Sequence, residues 1–319
     1  MSSVAVIGAG AWGTALAIQA ARAGAVVTLW ARDPTRAAAI EASRENPRLP
    51  GARLPKAVRM TAELPSAADA FLIAVPTQHM RAVAARLPPV APMVCCAKGV
   101  EAGTLRLPLE ILAELHSNAP AAVLTGPNFA AEIAAGLPAA SVVAAVDPTL
   151  RARIADLLAT RTFRVYGNDD PIGAQVGGAA KNVIAIAAGA VVGASLGENA
   201  RAGLISRGLA ELARLATALG GRAETVMGLS GLGDLVLTCT SPTSRNYSLG
   251  LALGRGEVLA DILAARTTVA EGVATAPALV ARAGEVDMPI CRAVADWLQG
   301  RTTLARAIAD LLGRQRRDE

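Results

Sequence analysis

The chain has 319 residues, of which 53% are hydrophobic and 18% charged, which is enough for two ordinary domains and excludes a disordered protein. Its formal net charge is +5, but the basic residues form no stripe interleaved with aromatic side chains, so we expect no nucleic-acid partner. Four cysteines without a CxxC pair and only two histidines argue against a metal site, and unpaired thiols indicate a reducing, cytoplasmic environment.

The first half of the chain alternates short β-branched runs with alanine-rich segments of helical period. Continuous apolar strands separated by helices predict βαβ units and a mostly parallel sheet covered on both faces. Strands are predicted at residues 4–7, 26–30, 70–75, 93–97, 123–125, 141–146 and 163–166.

The second half shows helical patterns and no strand ladder. Helices are predicted at residues 171–194, 202–219, 244–253, 258–264, 273–283, 290–298 and 304–312. We therefore expect an α/β fold in which a mostly parallel sheet domain, residues 1–168, is followed by an all-α domain, residues 169–319. The longest uncharged apolar run, about 183–197, is shorter than the ~18–20 residues of a membrane span, so we expect no such span.

Three glycines with the spacing G-x-G-x-x-G, Gly8, Gly10 and Gly13, follow the first predicted strand and open a helix. In this context they predict a Rossmann-type dinucleotide site, in which the backbone and the helix N-terminus hold the pyrophosphate. The second strand ends just before Arg32 and Asp33. Asp33 suits the ribose 2′-hydroxyl of NAD and Arg32 the 2′-phosphate of NADP, while Asp33 could equally cap the next helix. The cofactor preference is therefore open.

The chain contains only three lysines, Lys56, Lys98 and Lys181, against many arginines. Lys98 follows a predicted buried strand, at the edge of the sheet where doubly wound folds bind their ligands. Gly126 and Asn128 follow another strand at the same edge. The plainer interpretation of Lys98 is a lysine whose chain extends from the strand end into solvent.

Lys181 lies in GGAAKNVIAIAAGA, residues 177–190, which otherwise holds small and apolar residues and Asn182. A lysine removed from water loses proton affinity and can act as a general acid or base, which an arginine cannot do. The alternative is a lysine at a helix boundary that reaches solvent. Asp234 lies between glycines and an apolar run, where an unpaired carboxylate is costly, so we predict a Lys181–Asp234 pair.

A hydroxyl, a guanidinium and an amide stand together at Ser244, Arg245 and Asn246, at a predicted helix N-terminus. That combination suits a phosphate group, although a segment of this kind is more often only a capped helix start.

Segments along nearly the whole chain resemble the bacterial NAD(P)-dependent glycerol-3-phosphate dehydrogenases. The residues that carry the resemblance are GAGAWGTALA, WARDP, AKGVE, GPNFAAE, GGAAKNVIAIAAG, RGLAEL, GLGDLVLTCTSPTSRN and VAEG. It implies NAD(P)H-dependent interconversion of dihydroxyacetone phosphate and sn-glycerol 3-phosphate, which supplies glycerophospholipid synthesis.

The resemblance also implies residue roles. Lys181 would give and take the proton, with help from Asp234. Substrate contacts would come from Lys98, Gly126, Asn128, Lys181, Asp234, Ser244, Arg245 and Asn246. Cofactor contacts would come from Gly8, Gly10, Ala11, Trp12, Gly13, Arg32, Lys98, Ala130, Arg245, Val269 and Glu271. Ala11 stands where serine is common, which removes one side-chain contact to phosphate, and Asn128 stands where serine or threonine is common.

Two other functions compete with this interpretation. One is a different dehydrogenase with a Rossmann-type domain, a helical domain and a catalytic lysine, of the 3-hydroxyacid or 6-phosphogluconate type. The other is a non-catalytic nucleotide-sensing module, which would not need Lys181, Asp234 and the 244–246 segment together. The many glycines and alanines of the predicted helices suggest close packing between subunits, so we expect a homodimer.

Overall fold

The computed structural model describes residues 1–266 and 270–315. The chain forms two compact units: the first comprises Met1–Lys98 and Arg106–Gln175, and the second comprises Gly99–Leu105 and Val176–Glu319. The domain division predicted at residues 168/169 falls at the end of the last strand, Phe163–Asn168.

The first unit contains one eight-stranded sheet, as the alternating sequence pattern predicts. Its strands are β1 (Ser3–Ile7), β2 (Val26–Trp30), β3 (Val58–Thr61), β4 (Ala70–Ile73), β5 (Met93–Cys95), β6 (Ala121–Thr125), β7 (Ala139–Ala144) and β8 (Phe163–Asn168). They lie in the order β3-β2-β1-β4-β5-β6-β7-β8. All neighbouring pairs are parallel except β6 and β7, which are antiparallel.

Six helices connect these strands. They are α1 (Ala11–Arg22), α2 (Pro34–Ser43), α3 (Thr77–Ala84), α4 (Pro108–Leu115), α5 (Ala130–Ala135) and α6 (Pro148–Asp156). Alternate residues of β1 enter two separate apolar clusters, Val4 and Val6 on one side and Ala5 and Ile7 on the other. The sheet is therefore buried on both faces, which explains why its strands read as continuous apolar runs.

Strand β3, four residues long and at the edge of the sheet, was not predicted. Its sequence, VRMT, alternates buried and exposed positions and pairs only with β2. A strand this short, half exposed and carrying an arginine, has too weak a pattern to be distinguished from a loop.

The strand order reverses direction between β1 and β4, whose ends pair as Ile7 with Ile73. In an open α/β sheet the ligand binds at the carboxyl ends of the strands beside such a reversal. Gly8 follows Ile7 directly, so the glycine turn lies at the position where this topology binds ligands.

The rest of the described chain is helical. It contains α7 (Pro171–Gly193), α8 (Glu198–Ala218), α9 (Ala223–Val226), a π-helical turn (Leu229–Gly233), α10 (Asp234–Thr240), α11 (Arg245–Gly254), α12 (Leu259–Ala265), α13 (Glu271–Ala283), α14 (Pro289–Leu298) and α15 (Leu304–Leu312). Seven of these helices were predicted, whereas α9, the π-helical turn and α10 were not. The three missed elements are short and rich in glycine at their junctions, so no helical period develops.

Helix α7 is the longest helix among the described residues and is largely buried. Among the described residues it is the one helix long and apolar enough to cross a membrane, but 89% of its most apolar window is buried inside the protein, as in a core helix. Glycines of both helices allow backbone contact between α7 and α11: a Cβ added at Gly189 of α7 would overlap the carbonyl of Tyr247, and one added at Gly250 of α11 would overlap that of Ile186. The close packing expected of the Gly/Ala-rich segments is thus found within the chain.

Candidate active site

The three glycines of the turn after β1 have three different physical roles. Gly8 has φ +118°, a conformation that side chains rarely adopt. A Cβ added at Gly13 would overlap the carbonyl oxygen of Gly8, so this glycine permits α1 to pack on the turn. A Cβ added at Gly10 would have no heavy atom of the described residues within 4 Å, so the space above this backbone is open. An open approach to the second glycine is what a dinucleotide pyrophosphate requires.

The N-terminus of α1 adjoins this open space. Gly10 is its N-cap and makes no side-chain capping bond, and the first turn of the helix contains no acidic residue. The first N–H groups of Ala11 and Trp12 therefore face a position where an anion would be stabilised. The indole Nε1 of Trp12 is buried and has no hydrogen-bond partner among the described residues.

Asp33 serves as the N-cap of α2. Its Oδ1 accepts from the backbone N–H of Thr35 at 3.0 Å and of Arg36 at 3.3 Å. The carboxylate therefore caps α2, which is one of the two roles considered for it; the other was a bond to the ribose of the cofactor. Arg32, which would suit the 2′-phosphate of NADP, is exposed.

Arg36 lies over the glycine turn, and the sequence analysis did not identify it. Its guanidinium donates to the carbonyl of Ala9 and, at 3.0 Å, to Oδ1 of Asn46. Asn46 is buried and donates to the same carbonyl at 3.1 Å and to the hydroxyl of Thr14 at 2.6 Å. Burial and the nearby Arg48 lower the pKa of Arg36 from its ordinary value. These residues hold the turn in shape and place a positive charge beside it.

Three predicted residues meet at the carboxyl ends of β5 and β6. The Nζ of Lys98 donates to the carbonyl of Gly126 at 3.0 Å, and Gly126 has φ +130°. The amide of Asn128 donates to the carbonyl of Ala140 at 3.2 Å and to the hydroxyl of Ser141 at 2.9 Å. Its Oδ1 is buried without a partner among the described residues. Lys98 is half-buried and held at the sheet edge, so it does not extend freely into solvent.

Ala130, a predicted cofactor contact, is the first residue of α5. Helix α5 packs against α1. The Nη1 of Arg22, near the end of α1, donates to the carbonyl of Ile133 at 2.6 Å and so stabilises the C-terminus of α5.

The predicted pair of Lys181 and Asp234 is present in the second unit. The Nζ of Lys181 donates to Oδ1 of Asp234 and, at 2.8 Å, to the hydroxyl of Thr238. Lys181 is 7% exposed and Asp234 1% exposed. A charge pair this deeply buried is costly to form, and it persists in proteins chiefly where its partners satisfy it. Thr238 was not identified, although it lies four residues after Asp234 and so shares its face of α10.

Cys239 lies beside this pair. Burial raises the pKa of its thiol to about 12, and the charge of Lys181 offsets that rise only in part. The thiol is therefore protonated at neutral pH and is no candidate for a nucleophile.

The phosphate-receptor segment starts α11, as predicted, but two of its three side chains also bond inside the protein. The hydroxyl of Ser244 accepts from the backbone N–H of Tyr247 at 3.2 Å, which makes Ser244 the N-cap. Asn246 donates to Oδ1 of Asn182 at 2.9 Å and accepts from the N–H of Gly272 at 3.0 Å. Arg245 is exposed.

One of the two remaining predicted cofactor contacts lies next to this network. Glu271 is the first residue of α13 and immediately precedes Gly272. Val269 lies outside the described residues. Across residues 1–266 and 270–315, no three His, Cys, Asp or Glu side chains come together in a way that could hold a metal ion.

Comparison with known proteins finds relatives along nearly the whole chain. Residues 3–151 match the model of the NAD-dependent glycerol-3-phosphate dehydrogenase N-terminus, and residues 170–309 match that of the C-terminus. The glycerol-3-phosphate dehydrogenase (NAD(P)+) of Gluconobacter oxydans is 52% identical across 98% of this chain and 97% of its own length. That of Caulobacter vibrioides is 53% identical across 99% and 98%.

The chain belongs to the NAD-dependent glycerol-3-phosphate dehydrogenase family. A crystal structure of the glycerol-3-phosphate dehydrogenase from Coxiella burnetii has the same fold, with a TM-score of 0.94 and 37% identity over 98% of this chain and 99% of that one. The family membership, the fold and the use of NAD(P)H that the sequence predicts are thus confirmed. A non-catalytic sensor and a dehydrogenase of another family are both disfavoured.

Proposed function

We propose that this chain is an NAD(P)-dependent dehydrogenase that interconverts dihydroxyacetone phosphate and sn-glycerol 3-phosphate, and that Lys181 moves the proton in this reaction. The observation that carries the proposal is the buried contact of the Lys181 amine with Asp234 and Thr238. The product is the backbone of glycerophospholipids, so we place the enzyme in their synthesis.

The glycine turn fits a dinucleotide, because the backbone at Gly10 is open and the N-terminus of α1 is uncapped by any side chain. The residues we expect to hold it are Gly8, Gly10, Ala11, Trp12, Gly13, Arg32, Lys98, Ala130, Arg245, Val269 and Glu271. When bound, the nicotinamide supplies or accepts the hydride at carbon C2 of the substrate.

Lys181 handles the proton on the oxygen of C2. In reduction the ammonium gives a proton to this oxygen as negative charge develops on it, and in oxidation the amine takes it back. Asp234 and Thr238 fix the direction of the amine and stabilise its charged form. An arginine could not perform this step, since the guanidinium keeps its proton.

The phosphate of the substrate is the group that we assign to Ser244, Arg245 and Asn246. The segment begins α11, so the helix N-terminus adds backbone N–H groups and a partial positive charge to the exposed guanidinium. The bonds of Asn246 to Asn182 and Gly272 hold its amide in one orientation. Lys98, Gly126 and Asn128 are the further substrate contacts in this proposal.

The test replaces Lys181 by methionine and by arginine and follows the oxidation of NADPH and of NADH with dihydroxyacetone phosphate. General acid catalysis contributes about 10²–10⁴-fold, so turnover should fall by at least that factor in both variants. Lys181→Met leaves the buried carboxylate of Asp234 unpaired, which costs about 3–5 kcal/mol of stability. Lys181→Arg keeps a positive charge opposite Asp234, so it tests the loss of the proton donor alone. Dinucleotide binding should survive in both.

The matched control is Lys56→Met, which removes an exposed lysine elsewhere in the chain and should leave turnover unchanged. Wild-type turnover in the Lys181 variants would refute the assignment. A panel that adds 3-hydroxyacids and 6-phosphogluconate tests the substrate directly.

A homodimer and a cytoplasmic location complete the proposal. Met227, Leu232 and Val236 are exposed apolar side chains of the second unit, and we expect a dimer to cover such residues. Light scattering coupled to gel filtration measures the assembly. The four cysteines are buried and form no disulfide among the described residues, which suits a reducing compartment.

A further inference from the structure

The small residues that precede Lys181 include Gly177, which is in backbone contact with the π-helical turn. A Cβ added at Gly177 would lie 2.6 Å from the carbonyl oxygen of Ser230 and 3.0 Å from the Cα of Gly231. Both atoms belong to the main chain, so no flexible side chain can move aside. Helix α7 and the turn can approach this closely only because residue 177 has no side chain.

The π-helical turn is itself tightly constrained. A Cβ added at Gly231 would overlap the carbonyl of Val226, five residues earlier, so the turn has no room for a side chain there. Ser230 is 1% exposed, and its hydroxyl donates to the carbonyl of Thr225 at 3.4 Å. π-Helical turns are rare in proteins, and many of those that are found lie at functional sites.

The turn leads directly into α10, whose first residue is Asp234. A displacement of the turn therefore displaces the carboxylate that meets the Lys181 amine. Gly177 and Lys181 are four residues apart on α7, so they lie on the same face, one turn from each other. Helix α7 thus contacts the turn through Gly177 and α10 through Lys181.

We infer that Gly177 is a positioning residue: by lacking a side chain, it sets the distance at which Asp234, the residue directly after the turn, meets the amine of Lys181. This inference rests on the proposed function. An added methyl group must push the turn away by several tenths of an ångström, and a misplacement of about 1 Å at a reacting group can reduce the rate about 10²-fold.

The experiment compares Gly177→Ala with Gly203→Ala. Gly203 lies within α8, and a Cβ added there meets no heavy atom of the described residues within 4 Å, so this control measures the effect of a helical Gly→Ala change alone. We expect kcat for reduction of dihydroxyacetone phosphate to fall about 10- to 100-fold in Gly177→Ala only. The dissociation constant for NADPH, measured by nicotinamide fluorescence, should stay within about threefold of wild type. That is well below a tenfold change, which corresponds to about 1.4 kcal/mol of binding free energy.

A pH profile separates a positioning role from a general loss of stability. The carboxylate of Asp234 favours the protonated amine, so moving it away should shift the alkaline limb of the reduction profile to lower pH. Asp234→Asn should shift the same limb in the same direction. A profile that keeps its shape while its height falls would contradict the inference.

A double-mutant cycle gives the deciding measurement. If Gly177 acts through Asp234, then Gly177→Ala should change kcat by less than about threefold in the Asp234→Asn background. An equal loss in both backgrounds, or wild-type kcat in Gly177→Ala, would overturn the inference. Wild-type kcat in Asp234→Asn itself would instead sink the proposed function.

Should Gly177→Ala fail to fold, Ser230→Ala decides the question. It adds no volume and removes the hydroxyl that ties the turn to Thr225. We expect a smaller loss of kcat with the same shift of the alkaline limb, both absent in the Asp234→Asn background. An unchanged profile in Ser230→Ala would then overturn the inference.

Discussion

The hydroxyl of Thr238 accepts a hydrogen bond from the Nζ of Lys181 at 2.8 Å. The same hydroxyl lies 2.6 Å from the carbonyl of Asp234, one turn earlier in α10, and donates to it. Because a hydroxyl has a single hydrogen, this donation leaves only its lone pairs for the amine. The backbone of α10 therefore fixes Thr238 as an acceptor that favours the ammonium form of Lys181.

Replacement of Thr238 by valine should lower kcat for reduction about 10- to 100-fold, because a hydrogen bond to a charged group contributes about 1.5–3 kcal/mol. The control is Thr240→Val. Thr240 makes the same kind of bond, to the carbonyl of Val236 at 2.7 Å, but is exposed and does not contact Lys181. Steady-state kinetics at several pH values measure both variants. Equal kcat in the two would show that the amine does not depend on this acceptor.

Two substitutions in the glycine turn should have different effects, one on stability and the other on cofactor binding. Gly13→Ala forces a methyl group into the carbonyl of Gly8, and overpacking of this kind typically costs about 1–3 kcal/mol, so its melting temperature should fall. Gly10→Ala meets open space, and its φ of −75° suits alanine, so its melting temperature should hold. Its dissociation constant for NADPH should nevertheless rise at least about tenfold, about 1.4 kcal/mol. Unchanged binding in Gly10→Ala would contradict a pyrophosphate at this backbone.

Much of the fold could be predicted because long buried strands and long amphipathic or apolar helices leave clear periods in the sequence. Seven of the eight strands follow from β-branched runs. The exception, β3, is short and half exposed. The π-helical turn could not be predicted, since glycine-rich GLSGLG has no apolar period and its geometry depends on backbone contacts with α7.

The site was predictable where residue chemistry is unusual for its surroundings. A lysine among alanines and an aspartate among apolar residues indicated the Lys181–Asp234 pair. Thr238 and Arg36 were not predicted, because threonine and arginine are common residues and the groups that they contact come close only in the folded chain. Asn246 was predicted as a ligand contact, but its bonds to Asn182 and Gly272 depend on how α7, α11 and α13 meet.

Arg245 should contribute to substrate binding without contributing to stability. It is exposed at the start of α11, and charge-assisted bonds to a phosphate contribute about 1.5–3 kcal/mol, so Arg245→Ala should raise KM for dihydroxyacetone phosphate about 10- to 150-fold. Arg255→Ala is the control, since Arg255 is exposed at the opposite end of the same helix. Melting temperatures should match wild type in both variants. A KM change of the same size in Arg255→Ala would indicate a general electrostatic effect rather than a phosphate site.

Glu211 should make the stability of the protein depend on pH. This carboxylate on α8 is buried and accepts from the backbone N–H groups of Ile290 at 2.6 Å and Cys291 at 3.1 Å, at the start of α14. Burial raises the pKa of Glu211 even though these bonds lower it. Between the ordinary pKa of the unfolded chain and the raised pKa, the folded state holds a proton that the unfolded state has lost. The free energy of unfolding should therefore fall as pH rises through that window.

Glu211→Gln removes the titrating group, so this part of the slope should disappear, while the loss of one acceptor lowers stability at every pH. Urea unfolding from about pH 4.5 to pH 8 measures the free energy of unfolding as a function of pH. The control is Glu198→Gln, at the exposed start of the same helix, which should keep the wild-type slope. Identical slopes in wild type and Glu211→Gln would mean that Glu211 binds no extra proton in the folded state, because its two backbone bonds balance the effect of its burial.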